Sequence, residues 1–168
     1  MQPEFSYIIK LDEIGNQESN YAIKANAKEC QALAERLKIK EIKYFNVKAS
    51  LIKHSSHLVK VKGSFEAEVV QTSVISLEDF SSLISESFST SFSKRFENRQ
   101  VVDIDLEEDD IEILEHNQID IGELATEYLA LALPNFPRQE GEVFSYSNKE
   151  QDIENKEKNP FAVLKNLK

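Results

Sequence analysis

The sequence predicts an α+β domain in which a curled antiparallel sheet of about five to six strands carries two packed helices. Three observations predict it. Apolar residues alternate with polar ones over several runs of strand length, the period-two pattern of a sheet with one buried face. Two other stretches repeat apolar residues at helical spacing, each behind a capping residue. Forty per cent of the 168 residues are hydrophobic, with ten Phe and five Tyr, which suits a single folded domain with a core of its own.

Taken in order, Phe5, Tyr7, Ile9 and Leu11 alternate with Ser6, Ile8 and Lys10, a strand with one face more apolar. Gly15-Asn16 marks a turn, and Tyr21, Ile23 and Ala25 form a shorter strand. Asn26 and Glu29 make a capping box for a helix over about 27–38, whose apolar face is Cys30, Leu33, Ala34 and Leu37. Cys30 on that face reads as a small core residue. Phe45 to Leu51 and Val59 to Val69 are a pair of alternating strands joined through Lys53 to Leu58. Ile84, Phe88 and Phe92 then share a strand face with Glu86 and Thr90, opposite a row of serines. Val102 to Leu106 and Ile111 to Leu114 are two short strands around an acidic stretch.

The last element is the most specific. Asp120 is the N-cap of a helix, with Glu123 completing a capping-box pattern. Ile121, Leu124, Ala125, Tyr128, Leu129 and Ala132 form its apolar stripe, which Leu131 and Leu133 widen. Pro134 and Pro137 end it. The reading divides the chain into a domain over 1–146, a flexible charged linker over 147–159 and a docking segment over 160–168, where Phe161, Leu164 and Leu167 share one edge.

Charge is distributed unevenly. Net charge is −10, which disfavours a protein that coats nucleic acid through bulk electrostatics. Eight Lys or Arg against Glu41 alone fall between Arg36 and Lys62, whereas eleven Asp or Glu and no basic residue fall between Asp103 and Glu127. Lys48, Lys60 and Lys62 belong to the polar strand face, and Lys53 lies at the turn. These four lysines are the candidate contacts to an RNA backbone, provided they converge on one surface. Solvated lysines that simply keep the domain soluble are the plainer alternative.

No catalytic set is legible. His54 and His57 in the hairpin connection have no third ligand at diagnostic spacing, and the four glycines form no phosphate loop. The acidic stretch lacks the glycine and final glutamate of a calcium loop. One cysteine excludes an internal disulfide and fits a reducing cytoplasm. No apolar segment approaches a membrane span, and no secretory signal precedes the first strand. Neither metal nor cofactor is expected.

Three stretches resemble the YceD family, the large ribosomal RNA subunit accumulation proteins, in the form found in alphaproteobacteria. IDIGELATEYLALALPNFPRQEGE resembles the family's helix and proline exit through Asp120, Ile121, Gly122, Glu123, Leu124, Leu129 to Leu133, Pro137 and Arg138. VKGSFEAEVVQTSVISLEDF is similar through Gly63, Ala67, Val69, Gln71, Leu77 and Glu78. Here Ser73 and Ser76 stand where many members place a Cys-x-x-Cys, and Asp79 replaces a proline, so thiolate metal ligation is unavailable. NPFAVLKNLK, with Asn159, Pro160 and Phe161, matches an Asn-Pro-Phe-x-x-Leu ending. The resemblance implies a non-catalytic factor for 23S ribosomal RNA accumulation and large-subunit assembly. Its partner would be precursor ribosomal RNA or a large-subunit ribosomal protein. The alternative is a protein–protein adaptor without RNA contact, its acidic region meeting a basic partner.

Overall fold

The computed structural model describes residues 3–15, 17–55, 58–94, 111–114 and 116–144. The expected strand over Val102 to Leu106, most of the acidic stretch, His57, the linker and the docking segment with Asn159, Pro160 and Phe161 lie outside them.

The architecture is α+β, as the alternation and the two capped helices predict. Strands β2 (Ser19–Lys24), β3 (Glu41–Lys53), β4 (Leu58–Thr72), β5 (Asp79–Lys94) and β6 (Ile111–Leu114) form one sheet in that order. A second sheet has two strands, β1 (Ile8–Lys10) and β7 (Gln118–Asp120). Helix α1 spans Ala27–Leu37 and α2 spans Ile121–Ala132. Strands as long as β4 and β5 twist as they run. A register shift in β3 between Ile42 and Tyr44 adds a further local distortion.

Alternation selects the core. Phe45, Val47, Ala49 and Leu51 of β3 are buried together with Val59, Val61, Phe65, Ala67 and Val69 of β4. Phe88, Thr90 and Phe92 continue that face on β5. Both helices add to the same core, α1 through Cys30, Leu33 and Ala34, and α2 through Ile121, Leu124, Ala125 and Leu129. Phe45 links the layers, with ring centroids 5.5 Å from Phe5 and 5.8 Å from Phe65. Phe88 stacks on Tyr128 of α2 at 5.0 Å, and the Tyr128 hydroxyl is 2.9 Å from the Thr90 hydroxyl. An ideal Cβ on Gly63 would lie 2.3 Å from the Phe88 ring, so the glycine opens the space that the ring fills.

Four sequence expectations are corrected. The first strand is shorter than its alternation suggests, because Leu11–Glu13 form a 3-10 turn closed by the Ile14 N–H on the Leu11 carbonyl. Strand β6 pairs with β5 in parallel, so the main sheet is mixed at one edge. The sixteen-residue interval from Lys94 to Ile111 is long enough for the crossover that parallel pairing requires. Leu131 does not widen the buried stripe: it is 81% exposed, and no described residue covers it. Glu123 does not close a capping box, for its carboxylate is taken by Arg36 of α1 through two hydrogen bonds. The box at Asn26 and Glu29 is complete.

Candidate nucleic-acid interface

The outer face of the main sheet is built by the residues that alternate with the core. Cross-strand register sets its rows. Lys24 of β2 lies opposite Asn46 of β3, and Ala22 lies opposite Lys48. Lys48 lies opposite Ser64 of β4, and Lys62 is one outward position further along β4. Lys24, Lys48 and Lys62 therefore form a diagonal across three strands, each step about 7–8 Å between diagonal neighbours. A shallow concavity of about 450 Å³ lies along it, lined by Lys48, Lys62, Ser50, Ser64 and neighbours. A second, of about 320 Å³, adjoins it at Lys48 and Ser64 and reaches Lys24, Asn46 and Ser85. Ser85, Ser87 and Ser89 carry the exposed face on across β5. Cations stand here among small hydroxyls and amides that can meet phosphate oxygens without steric hindrance, and the one carboxylate lining the second concavity, Glu66, accepts from the Tyr44 hydroxyl at 3.0 Å.

The structure sorts the basic residues that the sequence left as one cluster. Arg36 pairs with Glu4 and Glu123, Lys40 with Asp79, and Lys43 with Glu68. The two carboxylates around Arg36 raise its pKa, Glu123 first. Among the described residues no acid pairs with Lys24, Lys48 or Lys62. Lys60 is half-buried on the same face, opposite Ser91. Lys53 does not join them, because it lies opposite Val59 and takes the face of buried Leu51. Lys24 is the residue that sequence reasoning missed. Its alternation was visible, but its place beside Lys48 is set by the β2–β3 register.

The signature residues around α2 are occupied with holding the fold. The Asp120 carboxylate accepts from the Gly122 and Glu123 N–H groups at 3.0 and 3.2 Å, and from the Tyr7 N–H at 2.8 Å, while Ser6 donates its hydroxyl. One side chain thus caps the helix and fastens the N-terminal segment to it. Gly122 lies under that segment, where a Cβ would sit 2.7 Å from the Phe5 carbonyl oxygen. Leu124 and Leu129 are buried, and the Pro137 carbonyl accepts from Val74 N–H at 2.9 Å. Arg138 is exposed.

Ser73 and Ser76 hold a carboxylate. Ser73 and Ser76 donate to the two oxygens of Glu142, and the Gln139 N–H donates to it at 3.0 Å. The β4–β5 turn is thereby joined by hydrogen bonds to the segment after α2. Bonding from Ser73, then Ser76, holds the Glu142 carboxyl below the usual glutamate range. Such a group stabilises the contact fully above that range and ceases to do so as pH falls through its lowered value. Exchange protection of the Gln139 amide should therefore decline on acidification below the ordinary glutamate range. Ser73→Ala should move that decline to higher pH, and an unchanged midpoint by hydrogen exchange would count against the clamp.

No curated protein and no solved structure matches the chain. The family model described as "Large ribosomal RNA subunit accumulation protein YceD" matches residues 61–168. The matched region begins within β4 and includes Lys62, the serine–carboxylate clamp and α2, whereas Lys24 and Lys48 precede it. Because the match spans well over half the sequence, the chain belongs to the YceD family of large ribosomal RNA subunit accumulation proteins.

Proposed function

We propose that this protein is a non-catalytic cytoplasmic factor that supports 23S ribosomal RNA accumulation and large-subunit assembly by contacting precursor ribosomal RNA through the outer face of its sheet. Family membership carries the general role. The single structural observation behind the RNA contact is the diagonal of Lys24, Lys48 and Lys62 over a serine-rich face, with no acid pairing them among the described residues. The chain's net charge of −10 confines such contact to this local surface, since the molecule as a whole repels phosphate. No described helix is long and apolar enough to cross a membrane.

The test is a salt titration of binding to large-subunit RNA fragments with Lys24, Lys48 and Lys62 replaced together by glutamine. Each lost phosphate contact lowers the slope of log affinity against log salt by about 0.7–0.9. The triple variant should therefore lose about 2–3 units of slope, with little change in melting temperature, as surface substitutions usually stay within about 0.5 kcal/mol. Lys53→Gln, on the other face, should leave the slope as it is. An unchanged slope in the folded triple variant would reject this surface.

A ribosomal protein as the direct partner is the second reading. Asp120 and Glu123 no longer serve it, being engaged within the fold. The observation that favours it is exposed Glu127 of α2, with Glu123 and Glu112 near enough to add to the desolvation that raises its pKa. A basic partner would relieve that repulsion. Association with large-subunit precursors that survives ribonuclease treatment in a lysate pull-down would support this reading over the first.

A further inference from the structure

A cavity of about 410 Å³ lies where the end of α1, the end of β4 and the exit of α2 meet, with walls that include Leu37, Ile39, Leu133, Pro134 and Pro137. Gln71 of β4 also lines it. That side chain is 5% exposed, and its Oε1 has no hydrogen-bond partner among the described residues. A buried acceptor left unpaired is costly, on the order of 1–3 kcal/mol, so it points to a donor supplied by an occupant. The rim adds Arg36 and Lys38 and no acid, which disfavours a cationic occupant. Leu131 and Phe136, on the last turn and exit of α2, are 81% and 77% exposed.

We propose that this cavity is the docking site for the chain's own Asn159-Pro160-Phe161 segment. Asn159 to Leu164 is a run of six residues without a charge, between Lys158 and Lys165. It offers the matching chemistry: an Asn amide donor for Gln71 and apolar Pro and Phe bodies for the walls. Fourteen residues separate Phe144 from Asn159, a reach of up to about 50 Å at roughly 3.3–3.6 Å per residue. The cavity wall at Pro137 lies on the same exit segment, only seven positions before Phe144, so reach does not limit the return. This assignment is independent of any RNA contact.

Disulfide trapping in the full-length chain tests it. Cys30 is buried and burial pushes its thiol pKa up, so it competes poorly. In an oxidised–reduced glutathione buffer, Asn135→Cys with Ala162→Cys should close an intramolecular bridge roughly tenfold or more faster than Glu86→Cys with Ala162→Cys, for which only the tether sets the local concentration. Adding Phe161→Ala or Gln71→Leu should bring the fast pair to the control rate, because each removes one side of the contact between the segment and the cavity. Equal rates for the two pairs would overturn the proposal. So would bridging that appears only between chains and vanishes on dilution, which would make the occupant a second copy. An unchanged rate with Gln71→Leu would likewise overturn it.

Discussion

Leu129→Ala should lower the unfolding free energy by about 2–5 kcal/mol, the range for a fully buried leucine truncated in a packed core. Leu129 has no exposed surface and sits on the α2 face that packs against the sheet. The loss combines the transfer term with the space left where a close-packed core cannot fully collapse. Asp120→Ala should cost less, about 1–2 kcal/mol, near the upper end for an N-cap because it also severs the Tyr7 and Ser6 bonds. Urea titrations of both variants give the order. A reversed order would mean that the cap, not the apolar stripe, dominates the attachment of α2.

Gly122→Ala is the second large effect, and its sign is informative. On helix propensity alone alanine should stabilise, by up to about 1 kcal/mol. The new Cβ would instead stand 2.7 Å from the Phe5 carbonyl oxygen and 3.0 Å from the Ser6 Cα. Those are backbone atoms, tied down by the Tyr7 bond to Asp120 and by the Ile121 N–H on the Tyr7 carbonyl. They cannot rotate aside as a side chain can. Overpacking of this kind costs about 1–3 kcal/mol, and the upper part of that range is expected here. Gly63→Ala should cost a similar amount, because its Cβ would lie 2.3 Å from a Phe88 ring that is buried and stacked on Tyr128. A Gly122→Ala protein that melts higher than wild type would show the N-terminal segment to be loosely held.

The alternation of Phe45 to Leu51 and Val59 to Val69 was sufficient to find the long hairpin and to assign its buried face, because period two leaves little freedom once one face is greasy. The caps at Asn26 and Asp120 were equally legible, since capping is a contact within four residues. What escaped depends on residues far apart in sequence. Glu123 has two partners open to it, its own helix start and Arg36, and only the tertiary placement of Arg36 within reach of α2 selects the second. Ser73, Ser76 and Glu142 carry no mutual signal along the chain, being 66 or more positions apart. Lys24 acquires its neighbours from register. Lys53 was misplaced for a simpler reason: the alternation that assigns Leu51 inward also assigns Lys53 inward, and the hairpin continues regular pairing as far as that residue.

The pairing of Ile8 with Asp120 joins positions 112 residues apart, and this has a consequence for how the chain is made. At about 5–20 residues per second of synthesis, the N-terminal segment waits roughly 6–20 s for its partner strand. During that interval Phe5, Ile9, Leu11 and Ile14, all buried in the finished molecule, have no β7 or α2 to cover them. The sheet from β2 to β5 can assemble earlier, since its strands pair in chain order, β2 with β3 across α1 and the rest as hairpins, but the clasp at Asp120 closes last. The domain is therefore finished from both directions at once, and a nascent chain halted before α2 emerges would present a half-built core with its first strand still open to other partners.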